Sequence, residues 1–291
     1  MGYKVDNAII MAAGTASRFA PLSYERPKAL IEVKGEVLIE RQIRQLREAG
    51  IDEIIVVTGY RKELFYYLRE KFGVIIVEND DYLHRNNNGS IWAARSYLRN
   101  SYICSSDNYF SVNPFEAEVD DSYYAAIYAN GPTQEWCITS GGDGYINSVT
   151  IGGSDAWFMM GHTFWSEDFS RRFLRILEDI YHDPDTVNAL WETIYMRHLD
   201  SLKMKIRPYE TGTIFEFDTL DELRQFDRSY ISDTRSVILK ELARTLGCQE
   251  ADMVEITACK TGDNAAAGFR FRVKDSTYQY TYSDKSLTVL P

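Results

Sequence analysis

Long apolar runs are missing from this sequence. No stretch approaches the ~20 residues that a helix needs to cross a bilayer, and the N-terminus shows no signal-peptide h-region. Cysteine is scarce. Its four positions (Cys104, Cys137, Cys248, Cys259) include no C-x-x-C pair. That pattern points to buried, reduced thiols in a cytoplasmic protein. Positive charge is in deficit, with 32 Lys and Arg against 43 Asp and Glu and a net charge of −11. An acidic surface argues against nucleic acid as a partner, and it makes positive charge at any phosphate site a local matter. Two familiar phosphate loops are also absent: there is no G-x-G-x-x-G and no G-x-x-x-x-G-K-[ST]. The remainder is ordinary. At 291 residues, 45% apolar and 26% charged, the chain can bury one large core or two.

What is present is an unusual stretch at 8–30. Ala8–Ala12 is apolar and of strand length, which predicts a buried first strand. Ala13 and Gly14 leave the backbone open, so its N–H groups can approach an anion. Arg18 and Lys28 follow, ten residues apart, and a loop folded back on itself brings both to one polyphosphate. A strand followed by a glycine turn is common in α/β proteins, and Gly14 alone decides nothing.

The next segments alternate. Leu38–Ala49 has helical spacing and a stop at Gly50, Ile54–Thr58 reads as a strand, Arg61–Phe72 as a helix stopped by Gly73, and Val74–Val77 as a strand. This β-α-β-α-β order predicts a parallel sheet with right-handed crossovers and a ligand at the carboxyl ends of its strands. The polar loop 79–90 leads into a helix over Ile91–Leu98, capped by Ser90 or Asn88. Tyr102–Ser105 is a fourth strand, running into Asp107. Ser122–Ala129, Trp136–Ser140, Tyr145–Ile151 and Ala156–Met160 read as antiparallel strands, with turns at Gly142-Asp143-Gly144 and Gly152-Gly153. Ser166 caps a helix, Val187–Leu199 is another, and Ile214–Phe217 is a strand. Asp218 then leads into a helix whose capping box is Thr219 and Glu222.

The full string A-A-G-x-x-S-R-F-x-P-L-x-x-x-x-P-K-A-L at 12–30 resembles the signature loop of the nucleotidyltransferases that make sugar- and alcohol-nucleotides. The resemblance implies a Rossmann-like, mostly parallel α/β sheet with an antiparallel insertion, and a loop that wraps an NTP triphosphate. Ala13 and Gly14 then belong to the nucleotide loop, with Arg18 and Lys28 as its catalytic cations. Where the family usually has a second glycine this chain has Ala16, and alanine is expected at an ordinary dihedral there. The N-N-x-x-S string matches at Asn86, Asn87 and Ser90, beside the base. Asp107 and Asp218 match two aspartates that bind Mg²⁺, with Asp107 also at the nucleotide.

The resemblance is closest to bacterial CTP:phosphocholine cytidylyltransferases, over about residues 6–230. Trp136, Trp191 and Glu216 match the choline-pocket positions, and aromatic faces with a carboxylate are what a trimethylammonium group requires. Tyr128 and Trp157 lie in the same insertion and read better as packing. The implied reaction is Mg²⁺-dependent transfer of a cytidylyl group from CTP to phosphocholine, with no nucleic acid and no membrane insertion, and with homodimer formation left open. Two alternatives stand beside it: a sugar-1-phosphate nucleotidyltransferase, and a catalytically silent nucleotide-binding regulator.

Domain 1–230 is thus the transferase, and 231–291 a small α+β domain. Ser236–Leu246 reads as a helix, followed by strands at Val254–Cys259, Phe269–Val273 and Tyr278–Tyr282. This order resembles the N-terminal lobe of bacterial choline kinases. The chain stops at Pro291 without a kinase catalytic half, and Tyr280–Tyr282 occupies the position of the kinase cation, so no kinase activity is expected.

Overall fold

The computed structural model describes residues 2–262 and 265–290. The chain divides into two compact units. One comprises Met1–Gly14 with Leu38–Glu216, the other Thr15–Val37 with Phe217–Pro291.

The first unit is built on a seven-stranded sheet: β1 (Asn7–Ala12), β2 (Ile54–Thr58), β3 (Ile75–Glu78), β4 (Ser101–Ser105), β5 (Tyr123–Ser140), β6 (Ile146–Trp165) and β7 (Lys205–Tyr209). Its spatial order is β7-β5-β6-β4-β1-β2-β3. Only β6 runs antiparallel to the rest. The centre is apolar on both faces, as a covered parallel sheet demands. Ala8, Ile9, Ile10, Ile55, Val56, Val57 and Ile103 are all buried. Each aliphatic side chain of the size of valine or isoleucine contributes roughly 1.5–3 kcal/mol by leaving water. Helices α1 (Leu38–Glu48), α2 (Asn88–Ala93), α3 (Glu167–Ile180) and α4 (Trp191–Met196) belong to this unit. Ser166 caps α3 by accepting from Phe169 N, as its sequence predicts. The four cysteines are free, with Cys104 and Cys137 buried.

Four expectations are corrected. The stretch 61–72 is not one helix. Arg61 adopts φ 49°, and a short 3-10 turn (Lys62–Phe65) precedes Tyr67–Phe72. Gly152-Gly153 is not a turn. The ladder passes through it, pairing Pro132 with Ser154 and Thr133 with Gly153, and β5 and β6 form one long, irregular hairpin closed at Gly142–Gly144. Neither Ser90 nor Asn88 caps the helix near 90. Asn87 holds the cap position of α2 without a side-chain cap bond. Finally, 187–199 is not one helix: Pro184–Val187 is a single turn, and α4 begins afresh at Trp191.

The last two corrections share a cause. Asn86 N donates to Val187 O (3.1 Å), Asn88 Nδ2 to Thr186 O (2.9 Å) and Ala189 O (2.5 Å), and Trp191 N to Asn87 Oδ1 (2.7 Å). The asparagine run takes up backbone groups that a continuous helix would need, so the helix breaks.

In the second unit, Thr15–Val37 is a run of short turns: Ser17–Phe19, Leu22–Glu25 and Lys28–Leu30, then a tight hairpin of Glu32–Val33 with Glu36–Val37. Helix α5 (Leu220–Phe226) carries the predicted capping box of Thr219 and Glu222. Helix α6 (Val237–Leu246) is capped by Ser236 and ends on Gly247 at φ 63°. An antiparallel sheet follows, with β8 (Val254–Lys260), β9 (Ala266–Val273), β10 (Ser276–Thr281) and β11 (Leu287–Leu290) paired in chain order. The last strand is one that sequence periodicity had not marked. Among the described residues, no helix is long and apolar enough to cross a membrane.

Candidate active site

Within the first unit, parallel strands β1, β2, β3 and β4 end together. Ala12 is level with Thr58, Thr58 with Glu78, and Met11 with Ser105. The segments that leave these ends carry Ala13 and Gly14, the loop 79–90, and Asp107. This is the ligand end of an α/β sheet. A Cβ placed on Gly14 would meet nothing within 4 Å, so open space lies beside this backbone. Ala13 O is engaged by Tyr60 N at 3.0 Å. Asp107 is half-buried just past β4.

The loop residues are held differently from one another. Ser90 is buried, and its hydroxyl accepts from Asn79 Nδ2 at 3.3 Å. Asn86 Nδ2 donates to Asn188 O at 3.2 Å. The Asn87 amide is fixed at both ends, accepting from Trp191 N and donating to Glu192 Oε2 at 3.0 Å. These bonds set the loop against the start of α4.

Around α4 lies a cluster that sequence reasoning only half found. Trp191 is buried, stacked on Tyr124 (5.7 Å between centroids, 14°) and edge-on to Trp165 (5.1 Å). Glu192, which sequence reading passed over, accepts from Tyr124 Oη at 3.3 Å as well as from Asn87. Burial pushes its carboxyl up to about 7, against the lowering influence of those donors. Tyr124 is itself raised, first by burial and then by the charges of Glu192 and Glu216. Glu216 is exposed, directly after the two-residue strand Ile214–Phe215. Trp136 is half-buried on the hairpin opposite Ile151. A signal for Glu192 did exist: an acidic residue in the first turn of a short helix, next to a tryptophan.

In the second unit, three of the predicted residues meet. Arg18 Nη1 lies 2.8 Å from Asp218 Oδ2, and Lys28 Nζ lies 3.8 Å from Asp218 Oδ1. Lys28 is 6% exposed, whereas the Arg18 side chain is 75% exposed. The Lys28 ammonium also faces the Phe19 ring, 5.7 Å from its centroid. The loop therefore carries one buried and one exposed basic side chain, both directed at the same carboxylate. Asp218 N donates to Glu222 Oε2 at 2.6 Å, which fixes the aspartate at the mouth of α5. The structure brings Arg18, Lys28 and Asp218 together in this unit, and places Asp107 in the other.

The expectation for Ala16 is overturned. It adopts φ 45°, ψ 46°, the left-handed region, and its carbonyl accepts from Phe19 N at 2.9 Å to start the turn that carries Arg18. The loop keeps the backbone path of a glycine and tolerates roughly 1–2 kcal/mol of strain. Ala16→Gly removes that strain but frees the unfolded chain by a comparable amount, so stability is expected to hold or rise by up to ~1 kcal/mol. Urea denaturation checks this, and a clear fall in midpoint would contradict it.

Comparison with known proteins identifies relatives of this chain. Residues 8–112 match the MobA-like NTP transferase domain. The chain is 32% identical over 220 residues to a choline-phosphate cytidylyltransferase of Streptococcus pneumoniae, covering 76% of this chain and 96% of that protein. The chain belongs to the cytidylyltransferase family. It is also 37% identical over 234 residues to a 2-aminoethylphosphonate cytidylyltransferase of Lancefieldella rimae, covering 79% of this chain and 95% of that one. The solved structure of the CTP:phosphocholine cytidylyltransferase of S. pneumoniae matches with a TM-score of 0.74 at 32% identity, over 78% of this chain and 99% of that one. These cytidylyltransferases are spanned almost end to end, yet about a quarter of this chain lies outside the likeness.

Proposed function

We propose that this cytidylyltransferase moves the cytidylyl group of CTP to phosphocholine, giving CDP-choline and pyrophosphate. The observation that carries the reading is the meeting of Arg18 and Lys28, on the loop that leaves Gly14, with Asp218 at the mouth of α5. Its support is likeness to cytidylyltransferases along nearly their whole length.

The chemistry asks little covalent work of the protein. A phosphate oxygen of the acceptor attacks the α-phosphorus in line, the bond to the β-phosphate oxygen breaks, and pyrophosphate leaves with the electron pair. A phosphate monoester is already anionic near neutral pH, so no general base is needed. Lys28 and Arg18 stabilise charge building on the phosphates. Gly14 and Ala13 offer backbone N–H groups, and Asn86, Asn87 and Ser90 set the loop beside the base. Asp107 and Asp218 are oxygen donors suited to Mg²⁺. No group of three or more Asp, Glu, His or Cys able to hold a metal occurs among the described residues. Mg²⁺ held by few carboxylates is ordinarily completed by substrate phosphates and water. Bound Mg²⁺ supplies neutralisation of phosphate charge and orientation of the reacting groups. Trp136, Trp191 and Glu216 are assigned to the choline end. The free cysteines suit a cytoplasmic setting.

A second reading concerns the acceptor alone. The 37%-identical relative is a 2-aminoethylphosphonate enzyme, which favours an acceptor with a smaller ammonium. Pyrophosphate release should be measured with Mg²⁺ and CTP against phosphocholine, 2-aminoethylphosphonate and glucose 1-phosphate, in wild type and Asp107→Ala. Release that depends on phosphocholine and vanishes in the variant is expected. Release only with 2-aminoethylphosphonate keeps the mechanism and changes the acceptor. Silence with all three overturns transferase activity.

A further inference from the structure

The C-terminal segment 231–291 lies beyond the resemblance to cytidylyltransferases, and nothing in the reaction calls for it. Several of its contacts nevertheless fall on the loop that carries Arg18 and Lys28. Glu25, between Arg18 and Lys28 in sequence, accepts from Val237 N (2.8 Å) and Ile238 N (3.1 Å) through a single oxygen. A carboxylate on the first two amides of the ten-residue helix α6 is bound by both hydrogen bonds and the helix dipole. Tyr24 stacks on Tyr282, with 3.7 Å between centroids and planes within 3°. Arg235 Nη1 donates to Glu32 O at 2.9 Å. The turn Ser17–Phe19, which carries Arg18, packs beside β8. The Asp218 side of the cluster is gripped as well. In α5, Asp221 Oδ2 accepts from Glu255 N at 3.3 Å, and Arg224 donates to Met253 O and Glu250 O at 2.8 and 2.7 Å.

The loop therefore rests on the C-terminal segment at its start, middle and end. Consistently, Thr15–Val37 groups with Phe217–Pro291 and not with the sheet it leaves. We infer that residues 231–291 are a brace that sets the positions of Arg18 and Lys28 relative to Asp218, with Glu25 and Tyr24 as positioning residues and Tyr282 and the start of α6 as their supports. The segment then acts on nucleotide binding without touching nucleotide. A loop of single turns, with one residue held in the left-handed region, has little internal structure to hold its shape, and pre-ordering it from outside lowers the cost of closing on a triphosphate.

This rests on the reading that the loop binds the nucleotide, and the test separates the two. In the full-length chain, Tyr282→Ala and Glu25→Ala are compared with wild type, with Tyr282→Phe as rescue and with Val289→Ala, an exposed position of β11, as control. KM for CTP is expected to rise about tenfold in both alanine variants, with KM for the acceptor within about twofold of wild type, since misplacing a positioned group is costly at the group it positions. Tyr282→Phe and Val289→Ala should match wild type. Hydrogen exchange of amides 15–30, without nucleotide, should speed up in the alanine variants. A lower melting temperature with unchanged exchange and unchanged KM for CTP would overturn the brace and leave a merely structural tail. Wild-type silence with CTP would overturn the nucleotide reading, while the exchange comparison would still decide the brace.

Discussion

Lys28→Ala is expected to lower the turnover of CTP-dependent pyrophosphate release by roughly 10²–10³-fold, the usual consequence of deleting one preorganised group aimed at developing charge. The size of the effect follows from burial. Lys28 is 6% exposed, and its ammonium is flanked by the Phe19 ring and Asp218. With little water near it, its field on a polyphosphate is screened far less than that of exposed Arg18. Arg18→Ala should therefore cost less, acting mostly on KM for CTP and more strongly at low salt. The fold should survive the loss of Lys28, because Asp218 keeps Arg18 at 2.8 Å and is not left as a buried, unpaired charge. Circular dichroism melts run beside the pyrophosphate assay check that point. Turnover within about threefold of wild type would remove Lys28 from the list of groups that stabilise the transition state.

That pairing was only partly legible in the sequence. The spacing of Gly14, Arg18 and Lys28 marks a loop that can fold on a polyphosphate, and the strand before it is plain from its apolar run. Asp218 could be placed at a strand-to-helix junction from its capping box, but its partners lie about 200 residues away, and no local rule reports them. Ala16 shows the limit of propensity. Alanine disfavours φ > 0 by only ~1–2 kcal/mol, which a loop held at both ends can absorb. The asparagine run shows another limit. Asn88 looks like a cap residue from its neighbours, but Asn86, Asn87 and Asn88 spend their side-chain groups on residues 186–192. In doing so they break a helix that periodicity extends from Val187 to Leu199. Glu192 escaped notice for the same reason: its meaning depends on Asn87 and Tyr124, which are remote in sequence.

Arg224→Ala is expected to be the most destabilising single change in the second unit. Arg224 is 7% exposed, and its guanidinium reaches four acceptors: Tyr230 O at 3.4 Å, Asp221 Oδ1 at 3.1 Å, Met253 O at 2.8 Å and Glu250 O at 2.7 Å. These belong to α5, to the turn Ser229–Ser232, and to the segment that leads into β8, so one side chain ties three elements. Truncation strips buried carbonyls of their donor and opens a cavity. Each buried acceptor left unsatisfied costs roughly 1–3 kcal/mol, so the sum is a large share of a typical domain's stability. Arg224→Lys should recover little, because one ammonium cannot spread over acceptors that a planar fork spans. Urea unfolding followed by tryptophan-independent far-UV signal reads the result, and a loss under about 1 kcal/mol would mean that neighbouring groups replace the guanidinium. The change should also reach the active site. α5 begins one residue after Thr219 and two after Asp218, so a helix freed from residues 250–253 no longer fixes the carboxylate against which Arg18 and Lys28 are set. At temperatures where the variant remains folded, KM for CTP should therefore rise while KM for the acceptor holds.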